Sequence, residues 1–445
     1  MDYSAQKVSV IMAVYNAEKY LIETLDCIVN QTLSEIEIIC INDGSTDGSL
    51  QILNDYKNKD ERFIIITQEN SGAAIARNNG IKKARGKYLS ILDADDLFEF
   101  DMLETAYNEA QKHNADLVIF DNDKFDSVNG HKIPKHQWGK KNIPGKNPFS
   151  ADDVMENIFT FCYGVAWNMV INREYVINNK IWFQDVENHN DVYFTVMCKL
   201  KAKRMCYINR TLAHYRMNVS GSLSDNRIGK KTLFPFIDVL KAIHKEILEM
   251  PGYKRMFRSF VNFFSGMLLL NLNRLRGDNY FKAFEAIKND WLLCFPDDAI
   301  REDNYDSYID FIQCRSIIDN SATDHLFVML DIKTKENKML RSNRQWYFSD
   351  TRVKKGDKII IYGAGEIGID YYKQLCNSND VTLVDKAYKL IAESGLPVSD
   401  PVVIQKSKYD WIIVAVQQSA SIKQIKQLLA EYGVEKDKII CPFLW

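Results

Sequence analysis

The sequence predicts an α/β protein: a mostly parallel sheet covered by helices, then a helical stretch, then a smaller second α/β unit. Three observations predict it. Short β-rich runs alternate with amphipathic helical patterns from Val8 onward; the patterning turns helical from Asn226 to about Asn343; and strand and helix alternation returns after Gly356.

The first unit, residues 1–225, opens with the runs "VSVIMAVY", "IEIICIND", "RFIIITQ" and "KYLSILD". Between them lie segments of helical period, such as "KYLIETLDCIVNQ" and "GAAIARNNGIKKA". A mixed region with "WNMVINREYVINN", "IWFQDVENHNDVYFTVMCKL" and "LAHYRMNVSGSLS" closes the unit. Residues 226–350 carry the helical pieces "FIDVLKAIHKEILEM" and "YFKAFEAIKNDWLLCF" and end in a basic, polar joint, "KMLRSNRQWYFSDTRVKKGD". Residues 351–445 hold "KIIIYGAGEIG", "VTLVD", "WIIVAV" and "SIKQIKQLLAEYG".

Composition narrows the function classes. A chain of 445 residues exceeds one ordinary core. Lys and Arg total 57 against 59 for Asp and Glu, so no basic field exists to hold nucleic acid. Nine cysteines stand singly with no C-x-x-C pair, which suits a reducing compartment. The N-terminus lacks the apolar core of a signal peptide, and "FVNFFSGMLLLNL" is too short and polar to span a bilayer, so the expectation is a cytoplasmic protein. "KKTLFPF" and "GYKRMFRSF" mix basic and aromatic residues. Solvated faces of packed helices explain them; a peripheral resting place on the anionic inner membrane, beside a lipid-linked acceptor, is the alternative.

In such sheets, ligands bind at the carboxyl ends of the strands. Here those ends read Tyr15-Asn16, "NDGSTDGS" from Asn42, "QENSG" from Gln68, and Asp93 to Asp96 with only Ala94 between the acids. Carboxylates this close repel and call for a cation, and Asp93 and Asp95 suit Mg2+ or Mn2+ if the chain turns there. The competing reading is that these acids cap a helix starting near Asp101. Asp43 can accept from a base edge such as the imide of uracil, or belong to a turn and helix cap. Tyr15 can stack on a base or lid the core, and Arg77 can pair with phosphate or stand as an exposed helix cation. Their common placement on one rim is the signal.

In order and spacing, "VSVIMAVYNAEKYL", "INDGSTDGS" and "QENSGAAIARNNGIKKARGKYLSILDADD" resemble the family 2 glycosyltransferases of the GT-A fold, inverting enzymes that use nucleotide-sugar donors. The resemblance covers about the first half of the chain. It implies that Ala13 and Tyr15 line the nucleobase pocket, that Asp43 binds the base, and that Arg77 sits beside base or phosphates. It further implies that Asp93, with Ala94 beside it, meets the ribose or the metal shell, that Asp95 ligates Mn2+ or Mg2+, and that Asp96 is structural. UDP is favoured as the nucleotide because Asp43 and Arg77 resemble the family's uracil contacts.

The family places its catalytic base at a helix start, in a Glu-Asp pair after a Phe-containing strand. Asn190-Asp191 in "IWFQDVENHNDVYFTVM" stands in for that pair, which makes Asp191 the candidate base and Asp185, Glu187 and His189 the fallbacks. The departure from Glu to Asn leaves open a second reading, with Asn190 as an N-cap and Asp191 favouring the helix dipole. His214 and Arg216 lie where related enzymes close a segment over the donor phosphates; ordinary strand residues are the alternative. Trp167 and Trp182 are sugar platforms or core.

At the other end, Gly363, Gly365 and Gly368 have G-x-G-x-x-G spacing after a β-run, and Asp385 ends the next. This resembles a small Rossmann-like domain and marks a possible second nucleotide site. NAD is disfavoured there, because residues 351–445 amount to one half of a dinucleotide fold and no catalytic partner follows "WIIVAV". The reading is therefore a metal-dependent inverting hexosyltransferase that moves a sugar to a glycan or lipid-linked acceptor in bacterial surface polysaccharide synthesis, such as capsule or lipopolysaccharide. It leaves room for a homo-oligomer. The alternatives are an NAD-dependent sugar-modifying oxidoreductase and a nonenzymatic assembly module built on the C-terminal unit. A nucleotide-sugar pyrophosphorylase fits less well, since "VYNAEKY" replaces a glycine-rich loop.

Overall fold

The computed structural model describes residues 6–127, 132–133, 142–161, 165–217, 234–294, 300–341, 348, 350–392 and 395–442. The chain forms two compact units, Met1–Arg276 and Gly277–Trp445.

In the first unit the elements run β1 (Val8–Val14), α1 (Glu18–Val29), β2 (Ile36–Asp43), α2 (Ser49–Lys57), β3 (Phe63–Gln68), α3 (Ala73–Lys83), β4 (Tyr88–Asp93), β5 (Leu97–Phe98) and α4 (Met102–His113). They continue with β6 (Leu117–Asp126), β7 (Lys132–Ile133), β8 (Met169–Asn172), α5 (Arg173–Asn178), α6 (Asn190–Leu200), β9 (Met205–Met217), α7 (Pro235–Leu248) and α8 (Tyr253–Leu272). One nine-stranded sheet has the order β3-β2-β1-β4-β8-β6-β9-β5, with β7 on β6. The first four strands in that order are parallel, and β1 at their centre pairs with both β2 and β4.

The burial of these strands follows from their sequence. Each position of β2 is buried, as expected for a run flanked by strands and covered on both faces. Val8, Val10, Met12, Ile36, Ile38 and Cys40 build one core with Leu21, Leu25 and Ile28 of α1. On the other face α3 lies close against β1, because a Cβ on Gly80 would stand 2.4 Å from Ile11 Cγ2. This close contact sets the height of Arg77 above the strand ends.

The second unit contains α9 (Asp278–Cys294), α10 (Tyr308–Asp319), α11 (Ala322–Arg341), β10 (Lys358–Tyr362), α12 (Glu366–Leu375), β11 (Asp380–Val384), α13 (Tyr388–Ala392), β12 (Val398–Ser399), β13 (Trp411–Val414), α14 (Ser419–Glu431) and β14 (Ile439–Ile440). Its five-stranded sheet has the order β12-β11-β10-β13-β14 and is parallel throughout. The expected α/β, helical and α/β succession is thus present. Among the described residues no helix is long and apolar enough to cross a membrane. "GYKRMFRSF" falls on α8, whereas most of "KKTLFPF" lies outside the described residues.

Candidate active site

The parallel register brings the polar strand ends side by side. Ala13 of β1 lies opposite Asp93 of β4, Val14 opposite Asn42, and Asp43 of β2 opposite Gln68 of β3. Tyr15 follows β1 and is 53% exposed, so its ring is available to a ligand. Asp43 is buried and its carboxylate accepts from the Gln68 amide at 2.7 Å and from the backbone N–H groups of Ser71 and Gly72 at 2.9 and 2.8 Å. That carboxylate therefore orders the "QENSG" loop at the N-terminus of α3.

The four residues after β4 form the charged centre. Thr24 of α1 donates its hydroxyl to the carbonyls of Ala94 and Asp96, which fixes the turn from behind. Asp96 is fully buried and accepts from the Arg216 backbone N–H at 2.8 Å. Asp93 and Asp95 remain half-buried. Burial and the neighbouring Asp93 charge push the Asp95 carboxyl up to about 6. Burial, Asp93 and Asp95 together raise Asp96 well above the usual carboxylate range. None of these acids caps α4; Asp101 takes the N-cap position there and pairs with Arg210 at 2.8 Å.

Arg77 spans the cleft. One terminal nitrogen donates to Asp93 Oδ1 at 2.5 Å and the other to Asn190 Oδ1 at 2.7 Å. Its guanidinium lies 5.3 Å from the Phe183 ring, which stacks on Phe194 of α6 at 4.1 Å. The neighbouring Asn78 exchanges two hydrogen bonds with the Phe183 backbone, at 2.9 and 3.0 Å. α3 thus carries the link between the acid turn and the start of α6.

At that start His189, not Asn190, is the N-cap, in the left-handed region at φ 57°, and makes no side-chain cap bond. The capping role weighed for Asn190 is therefore replaced by its bond to Arg77. Asp191, in the first turn, is half-buried, and burial raises its carboxyl above the usual range against the partly opposing pull of Arg77. His189 meets Asn271 of α8 at 3.1 Å. Asp185 is exposed and Glu187 half-buried in the loop before α6.

His214 and Arg216 lie on β9 behind the acid turn. The His214 ring nitrogens stand 2.5 Å from Asp123 Oδ1 and 3.0 Å from Glu99 Oε1, so the imidazole bridges two acids. Arg216 is buried, donates to the Asp95 carbonyl at 2.6 Å and to Glu23 at 2.8 Å, and lies over the Tyr20 and Phe125 rings. It braces the turn from below. Trp167 is core and stacks on Tyr215, while Trp182 lies under Lys82.

Asn78, Asn190, Phe183 and Glu23 carry this arrangement, yet the motifs did not single out Asn78, Phe183 or Glu23. A faint signal for Asn78 exists: Asn78-Asn79 inside a helix is poor for propensity and suggests tethered side chains. Asn79 indeed donates to Gln68 at 2.8 Å.

In the second unit Gly363 adopts φ 112°, and a Cβ on Gly368 would stand 1.7 Å from the Gly363 carbonyl oxygen. Both glycines are demanded by the close turn. Gly365 faces open space. The Asp385 carboxylate accepts from the Ala364 and Ala387 backbone N–H groups, each at 2.8 Å.

Comparison with known proteins decides the family. Glycosyl transferase family 2 matches residues 9–175. The cholesterol galactosyltransferase of Borreliella burgdorferi is 33% identical over 275 residues, 58% of this chain and 74% of that protein. This chain belongs to glycosyltransferase family 2. A second relative of this glycosyltransferase, the putative teichuronic acid biosynthesis glycosyltransferase TuaG of Bacillus subtilis, is 31% identical over 52% of the chain and 88% of its own length. S. aureus TarS residues 1–349, solved in complex with UDP-GlcNAc, superposes with a TM-score of 0.59 and 20% identity over 77% of this chain and 94% of that one, a likeness of fold. Residues 355–440 match the family described as C2185-like, N-terminal.

Proposed function

We propose that this family 2 glycosyltransferase is an inverting, metal-dependent enzyme that moves a hexosyl group from a UDP-sugar to a hydroxyl of a glycan or lipid-linked acceptor in surface polysaccharide synthesis. The observation that carries the reading is the Asp93–Arg77–Asn190 link. It ties the acid turn on the donor side to the helix start that bears Asp191.

Three carboxylates within four residues, with Asp95 pushed up to about 6 by burial and Asp93, fit a divalent cation that takes oxygen ligands. Asp95 would be the direct ligand, beside Asp93. Bound there, Mn2+ or Mg2+ supplies positive charge to the departing nucleoside diphosphate. Tyr15, exposed at the end of β1, stacks on the nucleobase, and Asp43 holds the loop beside it. Asp191 takes the proton of the acceptor hydroxyl, which attacks the anomeric carbon opposite the leaving group and inverts it. Uridine is favoured by the acid at Asp43 and by the UDP-GlcNAc complex of the TarS fold relative. In this reading the C-terminal glycine turn is scaffold, because Asp385 is held by Ala364 and Ala387.

The test is a panel of UDP-, GDP- and dTDP-sugars assayed for nucleoside diphosphate release in Mn2+ and in EDTA, with product configuration read by NMR. Release from a UDP-sugar in Mn2+ only, with inverted product, is expected. Metal-independent release or retained configuration would overturn the mechanism.

A further inference from the structure

We propose that Glu109, His113 and Cys206 form a Zn2+ site where the last turns of α4 meet β9, separate from the acid turn. One ligand atom from each lies within 4.8 Å of the other two. Glu109 and His113 are four residues apart and share a helix face, with Oε1 and Nε2 3.3 Å apart. Cys206 is fully buried on β9 beneath them and pairs in register with Val118 of β6.

The donor set selects the ion. Thiolate, imidazole and carboxylate together suit Zn2+, whereas Mg2+ and Ca2+ take oxygen. Tetrahedral Zn2+ with bonds of about 2.0 to 2.3 Å holds its ligand atoms about 3.3 to 3.8 Å apart, so the cluster needs a contraction of about 1 Å. Coordination sends the Cys206 proton to solvent as the thiolate forms, and water takes the fourth position.

The surroundings already hold the ligands. Asn147 donates to Glu109 Oε1 at 2.7 Å and to the Tyr207 carbonyl at 3.0 Å, and its own oxygen accepts from the Tyr207 N–H, so an outer partner fixes the carboxylate against β9. Arg204 donates to the His113 carbonyl at 2.7 Å and closes the helix end. Glu109 and His113 keep 21% and 17% side-chain exposure, which gives an ion a path in. A metal here pins α4 to the strand that carries His214 and Arg216 to the acid turn. A hydrogen-bonded Glu109–His113 pair above an inert core cysteine is the competing account.

The test uses the full-length chain, stripped of metal by chelation and titrated with Co2+. One equivalent should give thiolate-to-cobalt absorption in the near ultraviolet, displaced by Zn2+, with Zn2+ also raising Tm. The band should vanish in Cys206→Ala, weaken in His113→Gln, which removes a partly exposed ligand and leaves the core intact, and persist in Asp95→Ala. No thiolate band in the wild type, or a band unchanged in both Cys206→Ala and His113→Gln, would overturn the site.

Discussion

Two sets of parallel strands in this chain, β3-β2-β1-β4 of the mixed first sheet and the whole of the second sheet, present loaded carboxyl edges, and the two edges treat their acids differently. At the edge of β1, β2 and β4, burial and the Asp93 charge raise the Asp95 carboxyl against the partial pull of Arg216 and Arg77. At the edge of β10 and β11, Asp385 accepts from two backbone N–H groups and closes its own turn. Both edges obey the same topological rule, which places polar groups where ligands bind. What separates them is crowding: both rims hold an acid met by backbone amides, Asp43 and Asp385, but only the first adds three carboxylates within four residues that raise Asp95 and Asp96.

The comparison breaks most visibly at Asp95. Asp95→Ala should lower kcat/KM by about 10³-fold or more, with Tm unchanged or raised, because it removes the proposed direct ligand of the ion and relieves a buried repulsion. Steady-state kinetics with Mn2+ beside a thermal melt checks both halves. Asp191→Asn should cost about 10²- to 10⁴-fold in kcat with little change in UDP affinity, the signature of a lost base. Since burial raises the Asp191 carboxyl, its base form accumulates only above the ordinary carboxylate range. The acid limb of the kcat/KM profile should therefore lie above about pH 4, with activity rising as pH rises. Arg77→Lys keeps a cation but loses the fork that holds Asp93 and Asn190 at once; about tenfold to a hundredfold in kcat/KM should go, measured against UDP affinity in the same variant.

The second unit should answer in stability, not in transfer. Burial lowers the His325 imidazole to about 4, so the unfolded chain binds more protons between that value and about 6.5. Stability of this unit should fall as pH drops through that window, and His325→Gln should flatten the slope in urea titrations. Asp385→Asn should cost about 1 kcal/mol of stability and leave kcat/KM within about twofold. A large loss of transfer in that variant would erase the distinction between the two edges.

Much of this is legible in the sequence. The runs from Val8, Ile36 and Tyr88 are apolar on both faces, which marks central parallel strands, and the break from Leu92 into Asp93 marks a strand end at a working rim. The Arg77–Asn190 link was not legible, because its partners are 113 residues apart and nothing local requires a helix arginine to find a distant asparagine. Asn190 itself looks like an N-cap by residue type; only the left-handed His189 before it moves the helix start. The sequence suggested His214 and Arg216 as contacts to the donor phosphates; it did not suggest Arg216's grip on the Asp95 carbonyl, which comes from the crossing of β9 behind the turn.

The central claim is that the rim of the first sheet, with Asp95 at its centre, is where the nucleotide binds. Calorimetric titration with UDP tests it most directly, in Mn2+ and in EDTA, on the wild type, Asp95→Ala and Asp385→Asn. The account predicts binding in Mn2+ that disappears in EDTA and in Asp95→Ala and survives in Asp385→Asn. UDP binding that ignores the metal and Asp95 but is lost in Asp385→Asn would contradict it and move the nucleotide to the second unit.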